Sequence, residues 1–248
     1  MSKTRYFFGD EAIEEAWLEG TPLQKIFVLK GKKRRDDDIW NEIMKSGIPV
    51  QEVPPQKLRR TGAGPQTQII AEKAPLPYHK SSDLITHLFD QGNSPRFALL
   101  DGVTDVGNFG AIARSALCFK MHGLVIPHKN SAQVTDDAIH TSSGALHYLP
   151  VCRENSILHA VRELKNYGMS IIACSEKGDK NIAEVDFDQP FGLVLGSEEK
   201  GISGQVLEQC NEHVYIPIGG QVGSLNVSAA AAVAFYEASI RNKLNTNH

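Results

Sequence analysis

The sequence predicts an α/β protein: a small mixed module followed by a larger domain on a mostly parallel sheet. Three observations carry this. From Phe97 onward the apolar runs FALLDGV, GLVIP, SIIACS, FGLVLGS and HVYIPI recur at strand length, separated by helical or loop segments. Upstream, two helical periodicities each lead into an extended segment. Between the two parts, KAPLPYHKSS holds two prolines and no apolar period, as a short semi-rigid linker does. The expected division is residues 1–72, a linker over 73–82, and a second domain over 83–248.

In the first module, EAIEEAWLEG places Ala12, Ile13, Ala16 and Trp17 at helical spacing, and KIFVLKG follows as a buried strand. DDDIWNEIMKSG sets Ile39, Trp40, Ile43 and Met44 on one helical face, with Gly47 as a stop before the extended IPVQEV. PPQKLRRTGAGPQTQ reads as loop, and IIA as a closing strand. At the far end a helix is expected from about Ser224 to Lys243, with an alanine run, Ala229 to Ala232, that lets another backbone or a ligand approach closely.

Composition narrows the class. The 248 residues are 41% hydrophobic, enough for packed cores. No stretch of about 18 apolar residues occurs, and the opening MSKTRYFFGDEAIEEAW lacks a signal-peptide core, so a cytoplasmic protein without membrane contact is expected. Cys118, Cys152, Cys174 and Cys210 stand far apart with no C-x-x-C pair, which suggests neither zinc nor a disulfide framework. A net charge of −3 makes no global case for nucleic acid. Locally, Lys30, Lys32, Lys33, Arg34 and Arg35 precede Asp36, Asp37 and Asp38, and Arg59 and Arg60 form a second basic pair. These fit phosphate contact and a solvated loop before an aspartate-capped helix equally well.

Three polar clusters fall where strands give way to loops, the usual place for ligands in open α/β sheets. In DGVTDVGNFGAIARSA, Asn108 stands near a helix start and Arg114 six residues on. That spacing does not put both on one helical face, so convergence requires Asn108 in the preceding turn; a cap and a surface arginine are the plainer reading. In LVLGSEEKGIS a strand runs into Gly196, Ser197, Glu198 and Gly201, either a close-approach loop or a simple capped turn. In YIPIGGQVGSLNVSAAAA, Ser224, Leu225, Asn226, Val227 and Ser228 open the alanine helix; Ser224 or Asn226 can cap, yet polar groups entering an apolar helix call for partners. Gly102, Gly107 and Gly110 do not give G-x-G-x-x-G, and no Walker loop is present.

Taken together, these clusters resemble, in order and content, the three motifs of the SpoU/TrmH family of SPOUT RNA 2′-O-ribose methyltransferases, over roughly residues 97–243 and including SSGALHYLPV. The first module is similar to the ribosomal-protein-like RNA-binding domain that precedes the catalytic domain in the family's large-subunit rRNA guanosine methyltransferases. Where the family often has His-Gln-Gly before the closing strand, this chain has Gln66, Thr67 and Gln68.

The resemblance implies a trefoil-knotted, mostly parallel catalytic domain and a homodimer whose active site draws on both subunits. It implies S-adenosylmethionine as donor, contacted by Gly196, Ile216 and Leu225, with Ser224 and Asn226 nearby, and no metal. It implies RNA rather than DNA as substrate, rRNA ahead of tRNA. Arg114 is assigned the 2′-hydroxyl, and because a guanidinium stays protonated its expected role is electrostatic, with Asn108, Glu198 and Asn226 orienting the sugar. A silent RNA-binding factor on the same fold and a small-molecule methyltransferase are the other readings. The first is opposed by the intact Asn108, Arg114, Glu198, Ser224 and Asn226, the second by the extra module.

Overall fold

Strand-length apolar runs too short to bury themselves must stack, and in the computed structural model they form two sheets. The structure describes residues 5–32, 37–220 and 223–241. Contacts divide the chain into two units, Met1–Pro77 and Tyr78–His248.

In the first unit the order is β1 (Tyr6–Phe8), α1 (Asp10–Leu18), β2 (Leu23–Leu29), α2 (Asp38–Lys45), β3 (Val50–Val53), α3 (Pro55–Arg59) and β4 (Ile69–Lys73). The strands lie β1-β4-β2-β3; β4 is antiparallel to β1 and β2, and β2 is parallel to β3. The helical periodicity bears on packing directly: Ile13 and Ala16 of α1 and Trp40 and Ile43 of α2 bury one sheet face with Ile26, Val28 and Ala71. Trp40 stays buried because its indole N–H donates to Glu14 at 2.7 Å. Asp37 caps α2 by accepting from the Trp40 N–H at 3.0 Å, a bond worth about 1 kcal/mol. Gly47, at φ +79°, ends it as expected.

One segment read as loop is partly helical. In α3, Pro55 sits in the first turn, where its missing N–H costs nothing, and Leu58 packs among Phe27, Val53 and Ile70 on the other sheet face. Five residues are too few to show a period. Of the basic run, Lys33, Arg34, Arg35 and the following Asp36 lie outside the described residues; Lys32 is paired with Asp10 at 2.6 Å.

The second unit holds β5 (Arg96–Asp101), β6 (Gly123–Pro127), β7 (Val151–Glu154), β8 (Ser170–Cys174), β9 (Lys180–Asn181), β10 (Phe191–Gly196) and β11 (Glu212–Tyr215). Every pairing in the order β7-β6-β5-β10-β8-β11-β9 is parallel. The helices are α4 (Ser81–Asp90), α5 (Val106–Cys118), α6 (Asp136–Thr141), α7 (Ile157–Asn166), α8 (Gly204–Leu207) and α9 (Val227–Arg241). Residues of α4, α7 and α8 bury one sheet face over Phe97, Leu99, Ile171 and Val194, while α5 packs against α9. Among the described residues no helix is long and apolar enough to cross a membrane.

Two strands beyond the five expected complete the sheet. β7 escapes a hydropathy reading because it carries Arg153 and Glu154, both buried. Each charge is partnered, as burial demands: Arg153 stacks on the Tyr78 ring at 3.9 Å, and Glu154 accepts from the Ser81 N–H and hydroxyl at 2.8 and 2.9 Å. Tyr78 and Ser81, from the stretch read as linker, are thus bonded within the second unit. β9 has only two residues. The last helix starts at Val227, three residues later than expected, because Asn226 caps it.

Burial followed by the Arg153 and Lys80 charges pushes the His128 imidazole down to about 4, and burial followed by Arg96 does the same to His122. Both rings are therefore neutral in the fold. Since the folded value lies below the unfolded 6.5, their contribution to stability is complete above pH 6.5 and is lost as pH falls toward 4. Thermal melts followed by circular dichroism should show the midpoint dropping across that window, and the double substitution His122→Asn, His128→Asn should flatten the drop.

Candidate active site

Parallel strands aim all their carboxyl ends one way, so the loops after β5, β8, β10 and β11 gather at one edge. Asp101 closes β5 and accepts from the Ser203 N–H at 2.8 Å, tying the loop after β10 to its neighbour. That loop is a tight turn: Ser197 and Gly201 exchange backbone hydrogen bonds at 3.2 and 2.9 Å, and the Ser197 hydroxyl accepts from the Lys200 N–H at 3.1 Å. Gly196 permits it, since a Cβ there would run into the Gly201 carbonyl carbon and the Ile202 nitrogen.

The turn projects Glu198 toward two asparagines. The Asn108 side-chain amide donates to Glu198 Oε1 at 3.1 Å, and the Asn226 amide donates to Asn108 Oδ1 at 3.0 Å and also to Glu198 Oε1. Asn226 Oδ1 in turn accepts from the Ser228 N–H at 2.9 Å and the Ser228 hydroxyl at 2.6 Å. Asn226 is thereby both the cap of α9 and a member of the polar cluster.

Asn108 is not a cap. It lies inside the first turn of α5, where Asp105 takes the capping role by accepting from the Asn108 N–H at 2.7 Å. The condition set for convergence with Arg114, that Asn108 precede the helix, is therefore not met. At about 100° per residue the two side chains project roughly 120° apart around α5. Arg114 is exposed and, among the described residues, makes no side-chain hydrogen bond.

Beside the cluster lies a cavity of about 480 Å³, within the range of small-molecule sites. Gly196, Ile216, Ser224, Leu225 and Asn226 all line it, with Glu198 at its edge. Ser224 contributes wall and, among the described residues, no side-chain hydrogen bond. A fourth segment, Cys174 to Lys177 after β8, also lines it and was not singled out from sequence. Its signal was present: a strand running into Ser-Glu-Lys-Gly, where a Cβ at Gly178 would strike the Val214 backbone. Cys174 is no nucleophile, because burial, with Glu176 adding to it, pushes its thiol up to about 12.

Apolar Leu195, Ile216, Ile218 and Leu225 and polar Ser175, Glu198 and Asn226 line this space together, and the missing side chain at Gly196 lets a ligand reach backbone. That suits a molecule with a flat apolar part and a charged polar end.

Comparison with known proteins points the same way. The profile of the SpoU rRNA Methylase family matches residues 95–236, and that of RNA 2′-O ribose methyltransferase substrate binding matches residues 6–78. A Bacillus subtilis relative named as a TrmH family tRNA/rRNA methyltransferase, YacO, is 30% identical over 94% of both chains. Mycobacterium leprae ML0324, an uncharacterized tRNA/rRNA methyltransferase, is 34% identical over 98% of this chain and 79% of its own. Among solved structures, the SpoU methyltransferase AviRb of Streptomyces viridochromogenes in complex with AdoMet has the same fold, with a TM-score of 0.61 at 24% identity over 96% of this chain and 90% of that one.

Gly196→Ala should displace the 197–202 turn. Calorimetric titration with S-adenosylmethionine should show binding lost, with a thermal midpoint several degrees lower for a clash of about 1–3 kcal/mol.

Proposed function

Because the chain belongs to the SpoU/TrmH family of RNA 2′-O-ribose methyltransferases, with both of its parts matched, we propose that it methylates the ribose of a guanosine in large-subunit rRNA, in the cytoplasm. The observation that carries this is the meeting of Asn108, Glu198 and Asn226 from three distant segments at the mouth of a donor-sized cavity. S-adenosylmethionine, when bound, supplies a methyl carbon activated by its sulfonium.

The chain's own residues provide position and charge. Gly196, Ile216 and Leu225 hold the donor against backbone and apolar wall. The two amides fix Glu198 through Oε1, which leaves Oε2 to accept from a sugar hydroxyl and orient it for in-line attack. A guanidinium cannot take the proton, which passes from the 2′-hydroxyl to solvent, so Arg114 stabilises negative charge as it grows on the 2′-oxygen.

Arg114 stands away from Glu198 on its own helix, and a homodimer resolves this: Arg114 of one protomer serves the cavity of its partner. Supporting such a face, α9 turns Val233, Tyr236 and Ile240 outward at helical spacing, between 41% and 52% exposed. The C-terminal segment threaded through an earlier loop, as a trefoil knot, belongs to the same proposal. A second reading is tRNA as substrate: relatives are named tRNA/rRNA methyltransferases, and the departure at Gln66, Thr67 and Gln68 leaves the RNA target open.

Arg114→Ala should lower transfer about a hundredfold or more while calorimetry finds donor affinity near normal. Equal loss of both refutes the assigned role. Mixing Arg114→Ala with Asn226→Ala protein, each inactive alone, should restore part of the activity through mixed dimers.

A further inference from the structure

The first unit covers its sheet unevenly. α1 and α2 bury the face that carries Phe7, Ile26 and Ala71, whereas among the described residues the opposite face carries the five-residue α3 and Ala63 of the loop after it. Register fixes what that second face shows, because residues two apart on a strand share a side. Tyr6 pairs with Glu72 and Glu72 with Lys25, forming one row across the sheet; Phe8, Ile70, Phe27 and Gln51 form the next.

The rows interleave aromatics and cations. The Tyr6 and Phe8 ring centroids are 6.4 Å apart, and Phe8 is 40% exposed. The Arg5 guanidinium lies 5.7 Å from the Tyr6 ring centre while donating to Glu72 at 3.1 Å. The Lys25 and Lys57 ammoniums lie 5.4 and 5.1 Å from the centre of the single Phe27 ring. Lys57 donates only to the neutral Gln51, at 3.3 Å, and among the described residues neither lysine has an ion-pair partner. Two like charges near one ring repel: burial and then the Lys57 charge make protonated Lys25 less favourable, and the cross-strand Glu72 offsets this only in part. An anion seated between them relieves that cost. Arg59 and Arg60, both exposed, extend the positive charge at the end of α3.

We propose that this sheet face docks an unpaired stretch of the RNA substrate, with bases stacked on Tyr6 and Phe8 and backbone phosphates held by Lys25 and Lys57. The inference rests on the RNA-substrate reading above. An unpaired strand is the fitting form because the exposed Phe8 ring and the half-buried Tyr6 ring need splayed bases, whereas a duplex hides base faces inside its stack. Charge separates it from an apolar protein partner: the rings are flanked by cations, and the one carboxylate in the rows, Glu72, is engaged by Arg5.

The test is fluorescence anisotropy with the full-length protein, without donor, using labelled oligouridine and a labelled RNA duplex of equal length. Oligouridine should bind more tightly. Phe8→Ala and Tyr6→Ala should each weaken it about tenfold. Phe8→Trp should bind as well as the native protein, while Phe8→Leu, which keeps apolar volume without a ring, should behave as Phe8→Ala and so separates stacking from folding. Lys25→Gln with Lys57→Gln should reduce the slope of log affinity against log salt by about 1.4. Unchanged affinity and slope in these variants, or preference for the duplex, overturns the proposal. Failure of the methyltransferase reading looks different: oligouridine binding and its loss in the variants persist, but calorimetry finds no donor binding.

Discussion

One carboxylate oxygen, Glu198 Oε1, joins three distant segments of chain at the carboxyl edge of the larger sheet. It receives amide hydrogens from Asn108, 90 residues earlier in the chain, and from Asn226, 28 residues later. Hydrogen bonds to an ionised acceptor are among the stronger ones proteins make, and these two close a ring with the Asn226 to Asn108 bond. Removing the carboxylate would leave Asn108 and Asn226 bonded only to each other at this point, and the 197–201 turn held through Asp101 and Ser203.

The scaffold below makes the convergence possible. β10 lies between β5 and β8, and parallel pairing throughout sends the loops to one edge. Small residues then let the helices come close: a Cβ on Gly110 would sit 2.7 Å from Thr141 Cβ, and Ala231, Ala234 and Ala238 are buried where α9 meets α5. Of the alanine run, Ala231 is buried and Ala230 lines the cavity, while the larger Val233, Tyr236 and Ile240 lie on the outer side. Gly196 and the turn it permits open further space beside Ala230.

Much of this was legible in the sequence where pattern and environment agree. Apolar runs marked β5, β6, β8, β10 and β11, and helical spacing marked α1 and α2, because those residues face cores directly. β7 was not legible: Arg153 and Glu154 are buried by partners distant in sequence, Tyr78 and Ser81, which hydropathy does not register. α3 was too short for a period. In the site, motif content located Asn108, Glu198 and Asn226, but not which residue would cap. Asp105 and Asn108 are both suitable types three apart, and only the fold decides that Asp105 caps α5 and releases the Asn108 side chain. The wall from Cys174 to Lys177 had a local mark, a strand running into Ser-Glu-Lys-Gly, but the approach of Gly178 to β11 that shapes it is a tertiary contact.

What these residues are arranged to do can be measured directly, by incubating the protein with S-adenosylmethionine carrying a radioactive methyl group and with total RNA lacking the modification. Label should appear on a ribose 2′-oxygen at a single guanosine of large-subunit rRNA, located by reverse-transcription stops or mass spectrometry. Label on a base, or no transfer to any RNA while the donor binds, would contradict a site built to bring a methyl carbon against a sugar hydroxyl.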